Sequence, residues 1–281
     1  MSDTNLDKYP AQIRRDIVRM VHDVQSGHPG GSLGTVEFFT ALFFEIMNVN
    51  PDKFTINSTG EDTFILSNGH ITPVYYSTLA RRGYFDVKEL ATFRRLGSRL
   101  QGHPSVHDGL PGIRIASGSL GQGLSVALGV AQGKKLNHDK HLVYTLHGDG
   151  ELQEGQIWEA VLYAGAKGVD NLIATVDYNN AQIDGKVDDV LTLGNLKAKF
   201  EAFNWTVVEI KNGNDLYAVI EGLKQAKSLT GKGKPVAVLM HTLMGYGVDF
   251  MQGDYRWHGK PLNDEQLEKA LAQLPETLGD Y

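Results

Sequence analysis

Asp149 sits between Gly148 and Gly150 at the end of an apolar run, and Asn179 closes a second apolar run thirty residues later. If both runs are strands, a carboxylate and an amide oxygen reach the same edge of a sheet. Oxygen ligands of this kind suit a hard divalent cation, which keeps part of its octahedral shell for phosphate oxygens. The Asp149 carboxylate, the Asn179 amide oxygen and the Ala181 carbonyl would suffice as the protein's share, and the pattern reads as a Mg²⁺–diphosphate clamp. Taken alone, an Asp between two glycines is more often a turn residue or a helix cap, and Asn179-Asn180 is likewise a turn signal. Their pairing after two consecutive strands, with glycines where backbone would meet phosphate, weighs against the bland reading.

Gly118-Ser119-Leu120-Gly121-Gln122-Gly123 precedes a helix of small residues, and free amides at a helix N-terminus attract phosphate. No clear strand leads into it, which counts against a nicotinamide-binding fingerprint. Of the ten histidines, His28, His70, His103 and His258 stand out in glycine-flanked turn sequence. No pair has the short spacing of a zinc motif. For any one of them a structural hydrogen bond in a loop is the commoner role, but a cluster of imidazoles suits proton transfer to hydroxyl and carbonyl groups. His22, His138 and His141 read as exposed surface residues, and His147 has no assignable role. Glu151, Glu154 and Glu159 read as acids that complement a helix dipole. The i, i+5 spacing of Glu154 and Glu159 does not put them on one helical stripe.

Holding such groups together requires strands alternating with helices, and the apolar periodicity supplies them. Strands are expected at 63–66, 142–146, 172–176, 206–210 and 236–240. Helices are expected at about 13–24, 35–47, 74–82, 87–96, 119–136, 156–166, 196–203, 215–228 and 264–274, and 97–118 reads as one long functional loop. Short apolar strands between helices predict an α/β fold, a doubly wound parallel sheet flanked by helices. In such sheets ligands bind beyond the carboxyl ends of the strands, so His70, Asp149, Asn179 and the segment after Met240 should share one edge. There is no internal repeat, low-complexity tract or evident boundary, and 1–281 reads as a single domain.

A hydrophobic content of 41% and a charged content of 21% in 281 residues are those of an ordinary globular chain. The net charge of −6, with acids and bases interspersed, argues against a nucleic-acid or membrane surface. Cysteine is absent, which excludes disulfides, thiolate metal sites and a catalytic thiol. The first residues lack the apolar core of a signal peptide, and no apolar run approaches the ~20 residues that span a bilayer. A cytoplasmic protein is expected.

Six segments together resemble the N-terminal, diphosphate-binding region of transketolase. They are Ser26-Gly27-His28-Pro29-Gly30-Gly31-Ser32-Leu33-Gly34, Ser67-Asn68-Gly69-His70, Gly102-His103-Pro104, Gly118 to Gly123, Gly148-Asp149-Gly150-Glu151-Leu152-Gln153-Glu154-Gly155 and Trp257-His258-Gly259. They occur in the family's order and span about 10 to 275. The resemblance implies the thiamine diphosphate-binding fold (the diphosphate, or PP, domain), with thiamine diphosphate and Mg²⁺ as cofactors, Ca²⁺ or Mn²⁺ being able to substitute. It implies Asp149, Asn179 and the Ala181 carbonyl as metal ligands, with Asp177 just behind them. Gly118, Leu120, Gly150 and Ile183 match positions lining the cofactor, and His70 and His258 match histidines near the diphosphate. His28 and His103 match those that hydrogen-bond the ketose and assist proton transfer. Glu154 and Glu159 match acids at a dimer interface that links two active sites.

The family's usual chain is more than twice this length. The region without a counterpart here carries the pyrimidine-binding domain, the glutamate that activates the cofactor and the arginines that grip substrate phosphate. The resemblance therefore implies the N-terminal subunit of a two-component transketolase, inactive without a C-terminal subunit, in an α2β2 assembly. Such a complex would move a two-carbon ketol unit from a ketose phosphate to an aldose phosphate, with pentose phosphates as the family default. Two alternatives stay open: a component of another thiamine diphosphate enzyme (related to deoxyxylulose phosphate synthase or to the α chain of a 2-oxoacid dehydrogenase), and a non-catalytic cofactor-binding module. The strings Ser67–His70 and Glu151–Gly155 weigh against the first, and the intact set of candidate ligands against the second.

Overall fold

Five short apolar segments form one parallel sheet in the computed structural model, which describes residues 5–281. They are β1 (Thr63–Leu66), β2 (Val143–Gly148), β3 (Leu172–Tyr178), β4 (Thr206–Ile210) and β5 (Val236–His241), in the spatial order β1-β2-β3-β5-β4. Every pairing is parallel. Side chains alternate between two cores: Phe64, Leu66, Tyr144, Leu146, Val238 and Met240 face one, while Ile65, Val143, Ala174, Val176 and Leu239 face the other. Burial on both faces is why these strands read as continuous apolar runs.

Helices cover both faces. The first core is closed by α1 (Lys8–Asp23), α2 (Pro29–Gly34), α3 (Val36–Ala41) and α4 (Thr72–Arg82); the second by α5 (Gly123–Leu136), α6 (Gly155–Lys167), α7 (Val187–Leu191) and α8 (Leu196–Ala202). α9 (Leu216–Ser228) and α10 (Asp264–Gln273) return to the first core. Each fully buried side chain such as Phe38, Phe39 or Leu42 contributes about 1.5–3 kcal/mol of transfer free energy. The predicted doubly wound α/β architecture is the observed one.

Differences from expectation have local causes. The helix expected at 87–96 is only a 3₁₀ turn, Val87–Thr92, because the chain reverses at Arg94 (φ 55°) and its amide donates to the Leu100 carbonyl. The helix expected at 119–136 starts at Gly123, since Gly118 and Gly121 hold φ of 133° and 85°. The helix expected at 35–47 is α3 followed by a π-helical turn, Leu42–Ile46. α2 has no counterpart in the sequence expectation, because Pro-Gly-Gly-Ser-Leu-Gly has the composition of a loop. Packing holds it: a Cβ on Gly30 would lie 2.7 Å from Met244 Cγ and 2.8 Å from the Trp257 carbonyl oxygen. His22 and His141 are not free surface residues, for they pair with Asp264 at 2.8 Å and Asp139 at 2.6 Å. No helix among the described residues is long and apolar enough to cross a membrane.

Candidate active site

Parallel pairing sets Gly148 of β2 beside Asp177 of β3, so the two strand tips end side by side. Asp149, 1% exposed, follows β2. Its amide donates to the Asp177 carbonyl oxygen at 3.2 Å, Oδ1 accepts from the Gly150 amide at 2.8 Å and Oδ2 from the Asn180 amide at 2.5 Å. Asp177 accepts from the Thr242 hydroxyl and, at 2.9 Å, from Asn179 Nδ2. The Asn179 carbonyl oxygen accepts from the Ala181 amide at 2.8 Å.

The electrostatics of this pair are unusual. Burial, together with the neighbouring Asp177, pushes the Asp149 carboxyl up to about 8. Burial likewise pushes Asp177 up to about 6. Both acids take their hydrogen bonds from amides and a hydroxyl, none from a cation. Two buried carboxyls served only by neutral donors fit a bound divalent cation, whose charge would offset the cost of their ionisation. Among the described residues, no group of three or more His, Cys, Asp or Glu side chains forms a metal cage. An ion held by Asp149, Asn179 and the Ala181 carbonyl would complete its shell with ligand oxygens, as Mg²⁺ does with phosphorylated compounds.

Beside the strand tips lies a cavity of about 340 Å³. Asp149, Gly150, Asn179, Ala181 and Ile183 form one side, Gly118 and Leu120 another, and His28, His70 and His258 the third. The three imidazoles form a triangle with ring centroids 4.9 Å (His28–His70), 5.1 Å (His70–His258) and 5.5 Å (His28–His258) apart. Burial lowers all three, His28 to about 4, with mutual repulsion among the rings and Arg94 adding to the effect on His28. They are neutral at pH 7 and able to accept or relay a proton. Four buried polar atoms of residues lining the cavity have no partner among the described residues: His28 Nδ1, Asn68 Oδ1, Gln182 Oε1 and His258 Nδ1. Buried polar atoms are rarely left unpaired, and here they are the groups a polar ligand would satisfy.

The remaining candidates are placed differently. His103 is exposed beside Gly118, where a Cβ would lie 2.6 Å from its ring, and burial with Arg94 nearby lowers its pKa. Glu154 lines the cavity, whereas Glu159 is exposed on the outer side of α6 with Tyr163 and Ser125. Sequence reasoning missed Asn68, Gln182, Met244 and, above all, Glu151. Read from the sequence as an acid that complements a helix dipole, Glu151 is 2% exposed and accepts from the Ser67 hydroxyl, the Gly121 amide at 2.8 Å and the Gly148 amide at 3.2 Å. The apolar surroundings of its neighbours were visible in the sequence, but the loops that close over it were not.

Comparison with known proteins gives a consistent picture. Residues 7–276 match the family described as the transketolase, thiamine diphosphate binding domain. An apulose-4-phosphate transketolase subunit from Phocaeicola vulgatus is 36% identical over 94% of this chain and 92% of its own. The 6-deoxy-6-sulfo-D-fructose transketolase subunit of a Clostridium species is 37% identical over 98% of both. Among solved structures, transketolase from Leishmania mexicana superposes with a TM-score of 0.90 at 30% identity, over 99% of this chain and 42% of that one. The chain thus spans about two fifths of the solved transketolase and nearly all of the two relatives whose names call them subunits.

Proposed function

Starting from a chain that belongs to the transketolase family through its thiamine diphosphate-binding domain, we propose that it acts as a single domain, the diphosphate-side subunit of a two-component transketolase. With a C-terminal subunit bearing the pyrimidine domain, in an α2β2 assembly, it transfers a two-carbon ketol unit from a ketose phosphate to an aldose phosphate. The length match to relatives named as subunits supports the division of labour. The observation that carries the reading is the buried Asp149–Asp177 pair with Asn179, facing a wall of unpartnered polar atoms.

Asp149, Asn179 and the Ala181 carbonyl would hold Mg²⁺ and through it the diphosphate. Thiamine diphosphate, when bound, supplies the carbon nucleophile that accepts and releases the ketol unit. The chain's own contribution is placement and proton handling. His70 and His258 would donate hydrogen bonds to the diphosphate's anionic oxygens. His28 and His103 would hydrogen-bond sugar hydroxyls and hold or move the proton of the oxygen that becomes a carbonyl as the donor's C–C bond breaks. Gly118 and Gly150 would leave room for the cofactor, and Leu120 and Ile183, both exposed, would supply apolar contact to it. Glu154, at the cavity, and Glu159, exposed on α6, would sit at an interface that links two active sites. Sugar phosphates do not cross membranes unaided, and the complex is assigned to the cytoplasm with them.

Calorimetry of the full chain with thiamine diphosphate, with and without Mg²⁺, tests the site. Binding that requires Mg²⁺ and is lost in Asp149→Asn is expected; Mg²⁺-independent binding of equal strength in both would refute the clamp. Assay of the complex with its copurified partner, offering xylulose 5-phosphate against pyruvate, tests the chemistry. Turnover of pyruvate alone would point to another thiamine diphosphate enzyme.

A further inference from the structure

One carboxylate beneath the rim joins three elements. Glu151 Oε1 accepts from the Ser67 hydroxyl at the tip of β1 and from the Gly121 amide at 2.8 Å. Its Oε2 accepts from the Gly148 amide at the tip of β2, at 3.2 Å. Ser67 Oγ in turn accepts from the Gly123 amide at 3.2 Å. His147, also 2% exposed, hydrogen-bonds Thr145 at 2.7 Å through Nε2 and places Nδ1 3.6 Å from Glu151 Oε2.

We propose that Glu151 is a positioning residue: it ties the 118–123 loop to the tips of β1 and β2 in the shape that receives a diphosphate, with His147 as its buried counterpart. The inference rests on the functional reading above and adds to it residues that reading does not use. The loop holds two positive-φ residues, Gly118 and Gly121, so its conformation is not set by local preference and needs a tether. Gly123 is fitted to that tether, for a Cβ there would lie 2.4 Å from Ser67 Oγ. An acid that merely complemented a helix dipole would stay in water. Glu151 is only 2% exposed, and burying a carboxylate is offset only by fixed donors, here contributed by three separate elements.

Amide hydrogen exchange and calorimetry on the full chain test this, with thiamine diphosphate plus Mg²⁺ as the probe. Glu151→Gln keeps the size but puts an NH₂ group where an acceptor is needed. The Gly121 and Gly123 amides should exchange at least ~10-fold faster while those of β3 stay protected, and thiamine diphosphate should bind roughly 10-fold more weakly. Ser67→Ala should act in the same direction, and the double variant should lose less than the sum of the two. Unchanged loop exchange in Glu151→Gln overturns the proposal, even if binding weakens, because the effect would not pass through the loop. If that variant does not fold, Glu151→Asp, one methylene short of the loop, is read by the same criteria. A wild-type chain that bound no thiamine diphosphate even with its copurified partner present would instead overturn the cofactor reading, and the tether would be judged by exchange in the variants.

Discussion

Asp177 decides which way Asn179 faces. Its carboxylate accepts from Asn179 Nδ2 at 2.9 Å, which leaves the Asn179 carbonyl oxygen on the opposite side, 2.8 Å from the Ala181 amide. An ionised carboxylate only accepts, so the amide has one stable orientation. Replacing Asp177 with Asn supplies both a donor and an acceptor and lets that amide turn over. The Mg²⁺-dependent affinity for thiamine diphosphate should fall 10- to 100-fold, or about 1.4–2.8 kcal/mol, the usual cost of losing a partner behind a metal ligand. A calorimetric titration with wild-type affinity would remove Asp177 from the clamp.

The neutral histidine triangle predicts an acid-labile fold. Burial lowers His28 to about 4, below the unfolded value near 6.5. The unfolded chain therefore binds protons more readily than the folded one, so stability is full above about pH 6.5 and declines until about pH 4. With allowance for partial exposure, His28 accounts for about 1–2 kcal/mol of that decline. Urea midpoints of wild type and His28→Gln, compared between pH 7 and 4, should converge by this amount; parallel curves would mean that His28 titrates normally.

Gly118 combines a φ of 133° with a His103 ring 2.6 Å from where its Cβ would be. Gly118→Ala must therefore push the imidazole aside and strain the loop, at a cost of about 1–3 kcal/mol. Ketol transfer by the complex should fall in kcat/KM, and a nuclear Overhauser contact between His103 and residue 118 should be lost. Unaltered turnover would show that the position of His103 does not matter.

Away from the site, Asp280 clasps α1. It accepts from Arg15 Nη2 at 2.6 Å and Nε at 2.9 Å, and from Gln12 Nε2 at 2.9 Å. The Arg15 hydrogen bonds hold its carboxyl down at about 2. Its contribution is therefore complete above about pH 4, the unfolded carboxylate value, and is lost as pH falls through 2. For so accessible a pair about 0.5–1 kcal/mol is expected. Asp280→Asn should lower the thermal midpoint at pH 7 and make much less difference at pH 2; an equal deficit at both would assign the effect to packing.

The sheet was legible from the residues because parallel strands bury both faces and so announce themselves as apolar runs. β3 and β2 extend two residues beyond their predicted ends, into Asp177-Tyr178 and His147-Gly148, since ladder hydrogen bonds continue where apolarity stops. The Asp149–Asn179 pairing was legible for the same reason. What composition hides is tertiary: α2 is a helix only because Met244 and Trp257 press on its glycines, and Glu151 is buried only because the Gly121 loop folds over it. Neither the partner of a loop nor the cover over an acid leaves a period in the chain.

Because all five strands run the same way, the molecule has two unlike ends. At one, the short links entering the strands bear only on whether the sheet holds. At the other, the segments after β1, β2, β3 and β5 carry Asn68, Asp149, Asn179 and Met244, and all four residues line the cavity. Substitutions confined to that second end can reshape the cavity one loop at a time, provided that loop residues which also pack in the core, such as Val248 and Met251, are kept.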